Sequence, residues 1–280
     1  MLVAAGLALL VAALVVVVVQ VREPDGPRRS ALPDGMTTFA DQSRIQRQTR
    51  TAYVRLLRPS DRPMTITRAA FSSPRFGTVR WRGQETFTRE TDLTFDVPLG
   101  RCGDGGDITV SLTYTIGDGD PRTSRTTTRD RYGAVAAMLD RDCAQRVLAQ
   151  AARLSLGTVR VRGTGRQAVL VLPVTFTPTG RRSDVSFGGF ESTVLFDVTG
   201  GSPTPDQRPQ RLDPQEPLSV ALRLAPARCD AHALAEDKVG TLIGVRVVAP
   251  DVADRTSFYL PIGAERRAQL HRFYAAACGL

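Results

Sequence analysis

The chain contains no asparagine, one lysine (Lys238), one tryptophan (Trp81), two histidines (His232 and His271) and four cysteines in 280 residues. Each scarcity removes a class of chemistry. With two histidines and no C-x-x-C pair, a zinc knuckle has nothing to be built from. A single tryptophan makes a poor glycan-stacking surface, and the alternation of Trp81 with Arg80 and Arg82 sends it to the buried side of a strand. Neither a G-x-S-x-G elbow nor a P-loop occurs. The stretches Gly103-Asp-Gly-Gly-Asp107 and Gly117-Asp-Gly-Asp120 lack the alternating acidic ligands and closing glutamate of a calcium loop, so they read as turns. No catalytic residue, metal or cofactor is therefore expected. The want of lysine and asparagine is what a GC-rich genome does to codon choice, so the net charge of +9, carried almost wholly by arginine, is weak evidence for any partner.

The first feature present is an unbroken apolar run from Leu2 to Val19. Eighteen residues at helical rise span about 27 Å, close to a bilayer's hydrocarbon thickness. No small-x-small cleavage site follows, so residues 1–21 are expected to be a retained transmembrane anchor rather than a cleaved signal. Arg22, Arg28 and Arg29 lie behind the run, and the positive-inside rule would hold the body in the cytoplasm. The cysteines argue the opposite. Cys102, Cys143, Cys229 and Cys278 fall as one pair in each half of the chain, and only 102 with 143 and 229 with 278 keep each bridge within one module. Bridges call for an oxidising compartment, which puts the body outside the cytoplasm and requires that the charge rule be overridden or that a basic leader precede Met1. Loops of this length contribute about 4 kcal/mol each on the chain-entropy model.

Residues 22–49, punctuated by Pro24, Gly26, Pro27, Pro33 and Gly35, read as a flexible tether. Behind it the patterning is mainly β. In Ile108 to Tyr114 the apolar residues alternate with Thr109, Ser111 and Thr113, one face buried and one wet. Runs at 53–57, 64–71, 78–82, 86–97 and 107–115, and again at 154–162, 168–177, 193–198, 218–224, 242–248 and 257–262, predict two immunoglobulin-like β-sandwich modules, 50–150 and 151–280. Each ends in a helical pattern holding its second cysteine, the later one over 264–278. Two likenesses hint at duplication: Gly77-Thr-Val-Arg-Trp-Arg-Gly83 against Gly157-Thr-Val-Arg-Val-Arg-Gly163, and Arg101-Cys102 against Arg228-Cys229.

The stretch Arg228-Cys229-Asp230-x-His232-x-x-Ala235-Glu236-Asp237-Lys238, with a last helix ending Ala277-Cys278-Gly279, resembles uncharacterised anchored or secreted actinobacterial proteins. That resemblance implies an extracytoplasmic site and no activity. On a short helix over 230–237, Asp230, His232 and Glu236 would converge beside Lys238, making this the candidate polar site, although Asp230 also suits a helix cap. Alternation with Val79, Trp81, Val159 and Val161 turns Arg80, Arg82, Arg160 and Arg162 outward as candidate contacts for an anionic surface. The expected function is that of a membrane-tethered, extracytoplasmic, noncatalytic interaction or structural protein of the cell envelope. Its partners would be the membrane, through the first helix, and an unidentified envelope protein or anionic polymer, with no nucleic acid. The alternatives are a binding module for an anionic envelope polymer or lipid surface, and an enzyme of unknown class using Asp230 to Lys238.

Overall fold

Alternation in β6 (Ile108–Ile116) sets the first module, because Val110, Leu112 and Tyr114 are buried while Ser111 and Thr113 between them face outward. Residues 31–280 are described by the computed structural model, apart from 34, 104, 201, 202, 204–206, 231, 233 and 235–238. The expected anchor lies outside the described residues; among those described no helix is long and apolar enough to cross a membrane. The molecule is mainly β, with two long helices among the described residues.

β6 pairs antiparallel with β3 (Met64–Ser73) and β7 (Arg122–Asp130), and β3 with β4 (Gly77–Phe87). β7 then pairs in parallel with β1 (Thr37–Asp41), which leads through β2 (Thr51–Leu57) to β5 (Glu90–Asp96), giving the order β4-β3-β6-β7-β1-β2-β5. The sheet folds over on itself, since Phe71 of β3 and Phe95 of β5, far apart in that order, meet at 5.3 Å across one core. The tether expected over 22–49 is thus too long. Thr37–Asp41 is a sheet strand, and Ala40, fully buried, is held by pairing with β2 despite the Pro and Gly before it.

Strand β7 has almost no apolar residue, and its inward positions are filled by Ser124 and Thr128, both buried. Tyr114 and Ser124 hydroxyls bond at 3.0 Å, and the Ser124 hydroxyl donates to the Ala31 carbonyl at 3.1 Å. Hydrogen bonding replaces burial there as the reason for the strand.

The second module has two sheets. β8 (Ala152–Leu156) and β9 (Arg160–Arg162) run in succession along the edge of β10 (Val169–Pro178), which pairs with β14 (Leu218–Pro226) and that with β12 (Phe196–Val198). The other sheet runs β13 (Gln210–Arg211), β11 (Ser186–Glu191), β15 (Gly244–Val248), β16 (Ser257–Tyr259). Phe176 on β10 and Phe187 on β11 bridge the sheets at 5.0 Å. Helix α2 (Ala264–Cys278) packs Leu270, Phe273, Tyr274 and Ala277 into the same core, with the Tyr274 ring edge-on to Phe196 at 5.8 Å.

The module boundary at 150/151 needs correction as well. Helix α1 (Ala134–Ala151) is rich in alanine, leucine and arginine, all good helix formers, and Asp130 accepts a bond from the Ala136 N–H at its start. Its single apolar stripe serves two cores: Val135, Met138 and Leu139 pack into the first module, and Ala144, Val147, Leu148 and Ala151 into the second. The helix therefore belongs to both.

The bridges are Cys102–Cys143 and Cys229–Cys278, with Cα atoms 4.8 and 5.0 Å apart. Each ties the segment after β5 or β14 to the helix that follows the module's last strand. The cysteine likeness thus joins equivalent places. The seven-residue likeness does not, because its first copy lies in β4, the second strand of a hairpin with β3, and its second leads into β9, which comes before its partner β10.

Arg182 fastens the loop before β11 to the turn after β15, with Nε 2.6 Å from Asp184 and Nη2 2.6 Å from Asp251. Its hydrogen bonds hold both carboxyls below the usual carboxylate range. Groups depressed in the folded state add stability above the unfolded value, near 3.9 for aspartate, and lose it as pH falls through the folded value. Arg182→Gln should therefore unfold more easily than the parent in urea at pH 7, and the gap should close as the pH is lowered below about 4. A gap that stays constant with pH would show that Arg182 does not stabilise the protein through the charges of Asp184 and Asp251.

Candidate functional site: the outer face of the first sheet

The outward side chains of β3, β4, β6 and β7 make a surface of hydroxyls and guanidiniums. Along the register one row runs Arg82, Arg68, Thr113, Thr123 and the next Arg80, Ala70, Ser111, Arg125. Hydroxyl pairs link neighbouring strands: Thr65 with Thr86 at 2.9 Å, Ser72 with Thr78 at 3.0 Å and Thr113 with Thr123 at 3.4 Å. No carboxylate stands in either arginine row.

Arg68 and Arg82 face each other directly across the β3–β4 ladder, a like-charge placement that costs stability unless something anionic lies over it. Both are exposed, as is Arg80, and among the described residues none of the three makes a hydrogen bond or ion pair, whereas Arg50, Arg55, Arg75, Arg89 and Arg182 all have carboxylate partners. Arg125 donates to the Thr109 hydroxyl at 3.4 Å.

A bulge in β3 between Ile66 and Arg68 shifts the register, so that Thr67 and Arg68 both reach the surface. Beside them a shallow groove of about 560 Å³ is lined by Arg68, Arg80, Arg82, Trp81 and the Ser111 and Thr113 side chains. Trp81 faces the core side as expected but is only half-buried, since β4 is an edge strand. Its ring spreads over Gly83, where a Cβ would lie 2.8 Å from the indole, so glycine leaves the room the ring needs.

Comparison with known proteins adds little. No protein-family model matches the chain, and no curated protein matches it. Among solved structures the YadV chaperone is similar at 10% identity over 81% of this chain and 98% of that one, with a TM-score of 0.18, too low to carry an argument.

Arg160 and Arg162 are also exposed, on β9. The same register sets Arg160 and Arg223 on either side of Val171, a second and smaller group of outward arginines. Val161, expected to be buried between them, is 54% exposed, because β9 is a short edge strand with no neighbour on its far side.

Of the Asp230 to Lys238 stretch, only Asp230, His232 and Leu234 are among the described residues. Asp230 pairs with Arg228 at 2.9 Å on the surface, and His232 is exposed; Glu236 and Lys238 lie outside the described residues. Among the described residues no group of three or more His, Cys, Asp or Glu side chains is placed to hold a metal ion. The sequence pattern located Arg80 and Arg82 but not Arg68 and Arg125, which join them only through strand register. A signal was present in the uniform Ser, Thr and Arg content of the outward positions of β6 and β7.

Proposed function

We propose that this chain is a membrane-tethered, extracytoplasmic, noncatalytic interaction protein of the cell envelope, and that the outer face of its first sheet binds an anionic envelope polymer. The observation that carries the reading is the group Arg68, Arg80, Arg82 and Arg125 on a face whose arginine rows hold no carboxylate. Fixed hydroxyls and forked guanidiniums suit the repeated phosphate or sulfate oxygens of such a polymer, and a flat sheet face suits an extended chain. Two disulfides favour an oxidising compartment, and the apolar run of residues 2–19 would supply the tether.

Each module is read as immunoglobulin-like. What supports this is strand order: in the first, β4-β3-β6-β7 lies over β1-β2-β5 with β1 parallel to β7, and in the second β8-β10-β14-β12 lies over β13-β11-β15-β16.

The full-length protein should be retained on immobilised polyphosphate and dextran sulfate but not on neutral dextran, and released as salt rises, since exposed charges are screened beyond about 8 Å at physiological strength. Replacing Arg68, Arg80, Arg82 and Arg125 together by glutamine should abolish retention while leaving the melting temperature nearly unchanged. Equal retention of parent and variant would retire the proposal. Replacing Arg160 and Arg162 alone should weaken retention less.

A further inference from the structure

Where α1 runs between the modules, it forms the floor of a cleft of about 570 Å³. The first module contributes Arg47 from the turn between β1 and β2, and the second contributes the segments around Val194, Leu242 and Tyr259. At the centre is Arg141. Its guanidinium lies over the Tyr259 ring at 5.0 Å and donates from Nη2 to Oε1 of Gln42 at 3.1 Å.

Gln42 is buried and cannot turn away, because its Nε2 donates to the Gln46 and Thr51 carbonyls at 3.3 and 3.2 Å. The fork is therefore held in one orientation from one end and one face. Of the five N–H donors on a guanidinium only one has a protein acceptor among the described residues.

No carboxylate pairs with Arg141 there. Its neighbour Asp140 is taken by Arg75 at 2.7 Å, and Glu191 accepts from the Ser257 hydroxyl at 2.8 Å. Burial, chiefly, pulls the Arg141 pKa down; Tyr259 and Asp142 act against it, and the charges of Arg47 and Arg50 act with it. A partly desolvated guanidinium without a counter-ion is costly to keep, and a protein that needed only stability would place a carboxylate or an apolar side chain there.

We propose that this cleft binds a small organic carboxylate, taken bidentately by the fork of Arg141, with the apolar part of the molecule against Val194, Val239 and Leu242. Val194 is 50% exposed on the cleft wall, an apolar surface that such a ligand would cover. Carboxylate is preferred to phosphate for two reasons. The planar fork matches two coplanar oxygens, and with Asp140, Glu191 and Asp254 set against Arg47, Arg141 and Arg255 the walls carry no surplus of positive charge to hold a dianion. Gln42 and Tyr259 act as positioning residues for the fork.

Calorimetry on the full-length protein with N-acetylleucine, butyrate, leucinamide and inorganic phosphate tests the assignment. At least one of the two carboxylates should bind at millimolar concentration, and leucinamide, of similar shape without the carboxylate, should not. Arg141→Lys keeps the charge but loses the fork and should weaken carboxylate binding about tenfold or more. Val194→Glu, at an exposed position, should abolish binding with an unchanged melting temperature, which separates loss of the site from loss of the fold. Both variants should still be retained on polyphosphate, since they leave the arginine face of the first sheet untouched. Silence from both carboxylates, equal binding of leucinamide, tighter binding of phosphate, or carboxylate binding unaltered by Arg141→Lys and Val194→Glu would each overturn the proposal.

Discussion

Asp142→Ala should lower the stability of the protein by about 3 kcal/mol, the low end of the range for breaking a buried ion pair, because its partner Arg50 keeps partial contact with water. Asp142 is 6% exposed near the middle of α1. Its carboxylate takes both Nη atoms of Arg50 and the backbone N–H of Gly100, the last at 2.8 Å. Arg50 at the same time donates to the Val97 and Pro98 carbonyls, at 3.2 and 2.7 Å.

Alanine would strand the Gly100 donor and leave a guanidinium facing a gap, so the loss includes desolvation as well as attraction. Asp142→Asn, which keeps an acceptor for Gly100 and removes the charge, should fall between alanine and the parent. Urea midpoints measured at neutral pH decide the matter. A change in the alanine variant within about 0.5 kcal/mol, the scale of an ordinary surface substitution, would mean that the latch is dispensable.

Changing Cys102 and Cys143 together to serine should cost about 4 kcal/mol on the chain-entropy model, for a bridge with a sequence separation of 41. The expected form of the loss is more telling than its size. Beside the bridge, Arg75 donates to the Arg101 carbonyl at 3.0 Å and to Asp140 at 2.7 Å, and Arg146 donates to the Gly100 carbonyl at 2.6 Å.

These bonds involve the segment itself, whereas α1 is fixed independently by the packing of Val135, Met138, Leu139, Val147 and Leu148 in the two cores, so it should stay helical and docked in the serine variant. The segment from Val97 to Asp107 should loosen instead, seen as faster amide hydrogen exchange there than in α1. Uniform loss of protection across both would show that the bridge, rather than this packing, holds the helix in place. The matching bridge at Cys278 closes a helix already anchored by Phe273 and Tyr274, so its removal should likewise reduce stability without releasing α2.

The strands that could be read in the sequence were those whose burial is apolar and alternating, as in β6 and β10, where side-chain period and pleat coincide. β7 escaped because its inward positions are polar, Ser124 and Thr128, and the Ser124 hydroxyl is satisfied by hydrogen bonds that depend on Tyr114 and Ala31 elsewhere in the chain. β11 escaped for another reason: its centre is Gly188-Gly189, where a Cβ on Gly188 would strike the Arg246 side chain and Gly189 takes a φ of 105° at a register shift against β15, so the glycines serve close packing and a bulge rather than a turn.

Helix α1 was legible as a helix but not as a shared one, since an apolar stripe does not reveal how many cores it fills. The arginines show the same division. Arg80 and Arg82 declare their outward direction by alternation within one strand, whereas Arg68 and Arg125 become their neighbours only through pairing across β3, β6 and β7. Arg141 carried no sequence signal at all, being one of two arginines on a helix whose flank is turned into a cleft by the other module.

The two bridges are nested in neither sense: the first closes at residue 143 before the first cysteine of the second is reached at 229. A chain emerging from its amino end can therefore oxidise Cys102 with Cys143 while no competing thiol yet exists, and the only cysteines left to meet are then Cys229 and Cys278. Full-length reduced chain released all at once has three ways to pair four thiols. In an oxidising compartment directional emergence would favour the native pairing, and refolding from the reduced, denatured state in a test tube should reach that pairing faster when a thiol–disulfide shuffle is supplied.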